Sequence, residues 1–305
     1  SSASPGGLKK GYLSMVILFL APAFILYAVL FLLPSAESFY ISLFDWNGFT
    51  SNMKFVGLGN FKELFKDNSF WSVAFYNTIR IMFAGGIIAF TIAFVFSGIL
   101  STRIKGKRFF RGLLFFPAVI NPVAVAILWS FIFNSQWGLL NSILDAIGLA
   151  AAKQVWTEPG KQFWVLLLSL IWMNTGYYCV ILLAGLDQVP ETHIEAAHLE
   201  GASQLTIFFK IKLPLIRNIV GTAITLWCIN AVKEFALFFS WSGGISVPPN
   251  DATNLAVKMY VTAFGRRVTI FRMGYATTMG IIMFAVIAIT IFVVDRIFRT
   301  KDLEY

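Results

Sequence analysis

Six apolar stretches, near residues 13–34, 73–100, 109–133, 162–186, 215–240 and 274–298, are each long enough to cross a bilayer. The hydrocarbon core of a membrane is ~30 Å thick and takes ~20 helical residues to span. This repetition constrains the fold more than any other feature. Lipid offers no partner to a free N–H or C=O, so each stretch must satisfy its own backbone as a helix. Of the 305 residues, 58% are hydrophobic and 13% charged, where a soluble domain carries ~25% charged residues. The expected fold is an all-α integral membrane protein with six transmembrane helices in one domain, 1–305. The first run has no small-x-small cleavage site before polar sequence and is read as a retained span. Pro22, Pro117 and Pro122 fall in or near the starts of spans and would bend them.

Lysine and arginine set the orientation. The short loop 101–112 carries Arg103, Lys105, Lys107, Arg108 and Arg111 and no acid, which marks it as cytoplasmic. Six spans then leave both termini cytoplasmic, in agreement with Lys9, Lys10, Arg296, Arg299 and Lys301. The loop 187–214 falls on the same side. One loop dissents: 241–272 holds Lys258, Arg266, Arg267 and Arg272, yet this topology puts it outside. Two other outer loops are rich in aromatics, Gly and Asn. One is 45–72, with Trp46-Asn47-Gly48 and Phe55–Phe61; the other is 135–161, with Trp137-Gly138, Asn141 and Trp156. They suit an interfacial belt or a docking surface for an extracytoplasmic partner.

Several function classes are excluded. The net charge of +9 resides largely beside apolar runs, where basic residues meet membrane lipid, and no nucleic-acid partner is expected. Cys179 and Cys228 sit inside apolar runs and read as packing residues. His193 and His198 are five positions apart, on different helix faces, a poor chelate, so no metal is expected. No nucleophile–base constellation unites the scattered Ser and Asp residues. The chain has no G-x-x-x-x-G-K-[ST] loop, so it is not expected to be an enzyme or to hydrolyse nucleotide by that route.

The loop 187–214 contains Glu195-Ala196-Ala197, then Gly201, Ile211 and Leu213-Pro214. Glu191 or Thr192, after Pro190, can open a short helix, with Glu195 an acid near its positive end. Ala196 and Ala197 allow close approach of a partner. Gly201 can end the helix or take a positive φ. Pro214 can start the next span, where its missing N–H costs little. The result is a helix-turn unit facing the cytoplasm; an ordinary surface helix and turn would fit the same residues.

The pattern E-A-A-x3-G-x9-I-x-L-P resembles the EAA signature of ABC importer permeases, with every fixed position filled. The resemblance extends over nearly the whole chain, to the sugar-transport branch that includes maltose and glycerol-3-phosphate importer subunits. Softer support comes from Phe55–Phe61, Asn77-Thr78, Phe115-Phe116-Pro117, Leu186–Pro190 and Ser242-Gly243-Gly244. It implies a type I ABC importer permease fold in a bacterial inner membrane. It also implies a second permease subunit, two ATPase subunits that carry ATP and Mg, an extracytoplasmic solute-binding protein and an oligosaccharide substrate. This chain itself would bind no cofactor. Glu195, Ala196, Ala197, Gly201, Ile211, Leu213 and Pro214 would form the ATPase-coupling element, with Glu195 meeting basic groups there.

Charges inside spans default to function. Lys233 and Glu234 follow Asn230 in the outer half of the fifth span, and either pair locally or line the translocation cavity. Asn174, Gly176 and Tyr177, mid-way along the fourth span, offer hydrogen bonds, close approach and a stacking face, or simply pack helices. Arg80, near the outer end of the second span, can snorkel. By resemblance both polar groups line the sugar site, and Lys233 leans the reading toward an acidic oligosaccharide such as alginate fragments. Two rivals stand beside it. A secondary, ion-coupled transporter would need mid-span coupling acids or an inverted repeat. A membrane enzyme acting on lipid-linked sugars would need clustered acids or His at one interface.

Overall fold

The computed structural model describes residues 5–102, 104–241, 249–265 and 271–298, with side chains at residue 12 and from residue 15. Ser242-Gly243-Gly244, Arg103, Arg266, Arg267, Arg299 and Lys301, together with the side chains of Lys9 and Lys10, lie outside the described residues.

The chain is built from helices in the order α1 (Met15–Ile41), α2 (Gly59–Lys66), α3 (Phe70–Leu100), α4 (Lys107–Val119), α5 (Pro122–Ile132), α6 (Leu139–Ala146), α7 (Gln162–Leu186), α8 (Glu191–Leu199), α9 (204–215), α10 (Arg217–Trp241), α11 (Leu255–Phe264) and α12 (Met273–Phe298). Among the described residues five helices, α1, α3, α7, α10 and α12, are long and apolar enough to span a membrane. One strand pair interrupts the all-helical pattern: β1 (Phe44–Asp45) runs antiparallel to β2 (Lys54–Phe55).

The stretch 109–133 is not one straight span. It divides into α4 and α5, whose axes differ by 96°. The break is local chemistry. Pro122 occupies the first turn of α5, and Asn121 Oδ1 accepts the Val123 N–H at 2.8 Å. Asn-Pro thus starts a new helix, while hydropathy alone continues unbroken across the junction. The sixth expected crossing exists only if this bent pair is counted as one. The fifth span also yields near its C-terminal end: Glu234 leaves helical geometry with ψ 116°, and its carboxylate accepts the Leu237 N–H at 3.1 Å. The fifth span begins at Arg217 rather than Pro214. Pro214 belongs to α9, and Ile216, at ψ 17°, separates the two.

Helix α7 is the axis of the bundle. Leu166, Leu167, Tyr178, Leu182 and Leu183 are fully buried, with α3, α4 and α10 packed around them. Trp227 of α10 fills the gap between α7 and α3. Its ring lies 5.6 Å from that of Tyr178, which in turn lies 5.2 Å from Phe90. The indole N–H donates to the Met82 carbonyl at 2.9 Å, in a π-helical turn, Ile81–Gly85. Gly85 and Gly86 make room for the ring, since a Cβ at either would come within 2.9 Å of it. A smaller cluster gathers Leu64, Phe70, Val232, Leu255, Tyr275 and Met279 at the other end. Helix α1 contrasts with all of this. Only its last turns, 33–41, pack on α12, and none of its side chains is buried.

Candidate functional site

The coupling candidates occupy a helix that starts and stops by recognisable chemistry. Pro190, at ψ 133°, precedes α8, and Glu191 lies in its first turn. At the far end Gly201 takes φ +79°. Its N–H donates to the His198 carbonyl at 3.0 Å, and the Ala202 N–H reaches the Ala197 carbonyl at 2.9 Å. That pair of bonds is the Schellman closure, which requires a left-handed residue at this position. Ser203 then caps α9, accepting the Thr206 N–H at 3.2 Å.

Glu195 and Ala196 are exposed on α8, and Ala197 is buried. Leu199, at 90% exposure, stands clear of the protein on an otherwise polar helix. Ile211 and Leu213 are half-buried on α9, and Pro214 is exposed.

The base of this unit is fixed to the basic loop. Asp187, just beyond α7, receives Lys107 Nζ at 3.1 Å and the Arg111 guanidinium. Burial works to raise its pKa, but hydrogen bonds from Arg111 and Lys107 outweigh that and hold it below the usual carboxylate range. Lys107 and Arg111 therefore serve as anchors as well as topological signals. The basic loop and the Glu195 segment share one end of the bundle.

Of the dissenting cations, the two described, Lys258 and Arg272, lie at the opposite end and have partners. Arg272 donates two hydrogen bonds of 2.6 Å to the two oxygens of Glu63. The Arg272 hydrogen bond holds the Glu63 carboxyl below its ordinary value, more than offsetting its burial. Lys258 Nζ donates to Ser69 Oγ at 2.6 Å. Asp67 also lies low: burial raises it, but the Phe70 N–H, Lys258, Ser69 and Tyr275 together prevail. Asn77 and Thr78 tie this end together. Asn77 Nδ2 donates to the Asn250 and Thr253 carbonyls at 2.8 and 2.9 Å, and the Leu255 N–H donates to Thr78 Oγ1 at 3.0 Å. The loops are similarly built. Asn60 bridges the Ser42 and Phe44 carbonyls, and Asn141 accepts from Trp156 Nε1 at 2.8 Å.

The two polar groups expected inside the spans meet only in part. Asn230 Nδ2 donates to Tyr178 Oη at 3.4 Å, and the Tyr177 ring lies 5.1 Å from that of Tyr178. Tyr177 is 36% exposed, Asn174 half-buried, and Lys233, one turn beyond Asn230, exposed. Asn174 Nδ2 turns back to the Leu170 carbonyl of its own helix at 2.9 Å. Gly176 faces the other way. A Cβ there would lie 1.7 Å from the Leu114 carbonyl oxygen, so this glycine lets α4 pack on α7. Lys233 and Glu234 form no ion pair with each other. Arg80 does not snorkel away. Its guanidinium lies 3.7 Å over the Phe163 ring and 4.8 Å from that of Trp164. Tyr178 and Trp227, which join the two spans, went unnamed as site residues; the small Gly85-Gly86 pair opposite a buried Trp was the available signal.

Comparison with known proteins decides the family. The model for "binding-protein-dependent transport system inner membrane component" matches residues 91–301. This chain is an ABC transporter permease of that family. The permease is 31% identical to the probable ABC transporter permease protein YesP of Bacillus subtilis, over 89% of this chain and 86% of that one. It is 29% identical to the sn-glycerol-3-phosphate transport system permease protein UgpA of Escherichia coli, over 90% of each. Its fold matches a chain of a bacterial alginate ABC transporter solved in complex with an alginate pentasaccharide-bound periplasmic protein. The TM-score is 0.77 at 17% identity, covering 96% of both chains. The permease is thus a multi-pass membrane protein and not itself an enzyme. Family membership displaces the secondary-transporter and lipid-linked-sugar readings.

Proposed function

We propose that this permease forms half of the translocation pathway of an ATP-driven, binding-protein-dependent importer of oligosaccharides in a bacterial inner membrane, and that residues 187–214 couple it to a separate ATPase. The observation that carries the coupling role is the form of α8. It is a short helix closed by Gly201, with Glu195, Ala196 and Leu199 uncovered. The orientation rests on the basic loop 101–112, which shares the end where α8 lies. A second permease, two ATPase subunits and a solute-binding protein complete the assembly. Docking of the loaded binding protein and ATP-driven ATPase closure would shift the spans between inward- and outward-open states by differential binding.

The substrate class is read from Tyr177, Asn230 and Lys233; Asn174 and Glu234 commit hydrogen bonds to the Leu170 carbonyl and the Leu237 N–H. A stacking ring, an amide and an exposed ammonium with no described carboxylate partner suit a sugar bearing an acid group. Gly176 serves this site indirectly, by seating α4. Relatives of similar sequence handle both anionic and neutral substrates, glycerol-3-phosphate on one side and diacetylchitobiose and trehalose/maltose on the other, so the acidic class rests on Lys233.

The test is reconstitution of the permease with its cognate second permease, ATPase and binding protein. Loaded binding protein is expected to stimulate ATP hydrolysis, and Gly201→Val, which cannot hold the φ of +79°, to abolish the stimulation. Stimulation unaffected by Gly201→Val would overturn the coupling role. Uronate oligosaccharides are expected to load and stimulate where neutral ones do not, with Lys233→Met removing the difference. Equal stimulation by neutral sugars would overturn the acidic class.

A further inference from the structure

A cavity of about 310 Å³ opens where the end of α3 meets α9. That volume lies at the lower end of the ~300–1,000 Å³ range of small-molecule sites. Its apolar walls include Phe94, Val95, Phe208 and Phe209, and its polar edge is Ser101, Thr102, Gln204 and Lys212. Val95 and Phe209 are 56% and 60% exposed, so the apolar side is open to the surroundings.

Lys212 is the unusual residue. It is only 7% exposed. Its Nζ donates to Ser101 Oγ at 3.2 Å, and no described carboxylate lies within ion-pair reach. Asp187, which attracts it from a distance, is held by Lys107 and Arg111. Burial first, and then Lys107, push the Lys212 pKa below its ordinary value, and Asp187 offsets this only in part. An ammonium has three donors. One hydroxyl acceptor leaves a buried charge largely uncompensated, a costly arrangement unless an anion completes it.

The surroundings say which anion. Lys105, Lys107, Arg108 and Arg111 lie on the adjoining loop and helix. A free phosphate would find an apolar wall on most sides. A neutral lipid would leave Lys212 as it is. An amphiphile with an anionic head meets both requirements, and basic clusters at the cytoplasmic ends of spans are where such lipids concentrate.

We infer that this cavity is a binding site for an anionic phospholipid of the inner leaflet, with an acyl chain along Phe94, Val95 and Phe208 and the phosphate at Lys212 and Ser101. The site abuts α9, the segment that joins the coupling helix to α10. A bound lipid would brace that joint from the membrane side.

The experiment uses the assembled transporter in nanodiscs made of equal parts phosphatidylglycerol and phosphatidylcholine. Native mass spectrometry reads the lipid retained after mild stripping. Both leaflets contain both lipids, so the result does not depend on the orientation argued above. Wild type is expected to retain phosphatidylglycerol in preference to phosphatidylcholine, and excess inorganic phosphate is not expected to displace it. Lys212→Gln should cut retention roughly tenfold, the worth of one charge-assisted hydrogen bond. Val95→Trp, which fills the apolar end and leaves Lys212 intact, should do the same if Lys212→Gln does not assemble. Lys210→Gln, a charge change outside the cavity lining, should retain the lipid. The inference is overturned by equal retention of the two lipids or by displacement with phosphate. It is also overturned if Val95→Trp blocks subunit assembly while lipid retention persists, since a protein partner would then cover the cavity.

Discussion

Gly176→Ala is the substitution whose consequence the structure defines most sharply. The new Cβ would lie 1.7 Å from the Leu114 carbonyl oxygen, 2.5 Å from its carbonyl carbon and 3.1 Å from Phe115 Cα. All three are backbone atoms, so no rotamer change relieves the clash. Ordinary contact begins at 3.4 Å, so α4 must withdraw by about 1.7 Å (3.4 − 1.7) against packing that loses a quarter to a half of its attraction at a gap of ~0.5–1 Å. The cost should reach the upper end of the overpacking range, about 3 kcal/mol. The same helix holds a built-in control. A Cβ at Gly185 would meet only side chains, with Ile219 Cδ1 nearest at 2.8 Å, a flexible tip that can move. Thermal unfolding of the purified complex, followed by tryptophan fluorescence, should show a loss of several degrees for Gly176→Ala and a much smaller one for Gly185→Ala. The double variant Gly176→Ala, Leu114→Ala should remain as damaged as the single, because the obstruction is a carbonyl. Equal melting of the two glycine variants, or rescue by Leu114→Ala, would refute the reasoning and return Gly176 to the list of ligand contacts.

Trp227→Phe deletes the donor to the Met82 carbonyl and, because the phenyl ring is smaller than the indole, leaves a gap beside Gly85 and Gly86. It should cost more than about 1 kcal/mol, the scale of interhelical hydrogen bonds in membranes, because the cavity adds to the lost bond, read as a drop in melting temperature. Gly201→Val should impair ATPase stimulation more than Gly201→Asn. No atom lies within 4 Å of the added Cβ, so the penalty is the φ of +79° alone, a conformation Asn tolerates and Val does not. The Glu63–Arg272 pair predicts acid sensitivity at the end away from α8. The Glu63 pKa is lowered in the folded protein, so its stabilisation is present above the unfolded value and is lost as pH falls through the folded one. Glu63→Gln should flatten the acid limb of a melting-versus-pH curve, and an unchanged curve would show that solvent screens the pair.

The spans and the closure of α8 could be read from the chain because their causes are local. Apolar run length sets a crossing, and Pro190 and Gly201 start and stop a helix within a few residues. The division of 109–133 was equally local, but hydropathy does not register it; Asn121-Pro122 does, as a turn signal inside an apolar run. Adjacent opposite charges suggested a Lys233–Glu234 pair, yet successive helical residues point about 100° apart and do not face each other. What stayed hidden depends on distant partners. Arg80 meets Phe163, and Arg272 meets Glu63, across separations that no local pattern encodes. Gly176 was legible as a place of close approach but not as to what approaches.

The ties between distant parts of the permease are unevenly spread. At the end away from α8 Asn77, Thr78, Lys258, Arg272 and Tyr275 join segments more than a hundred residues apart in sequence. At the other end the described polar links are fewer: Asp187 with Lys107 and Arg111, Lys212 with Ser101, and Arg217 with the Ile297 carbonyl. If α8 is where a separate ATPase pulls, the described ties would make the far end of the bundle the fulcrum, and the load would arrive at the end where fewer such ties are described.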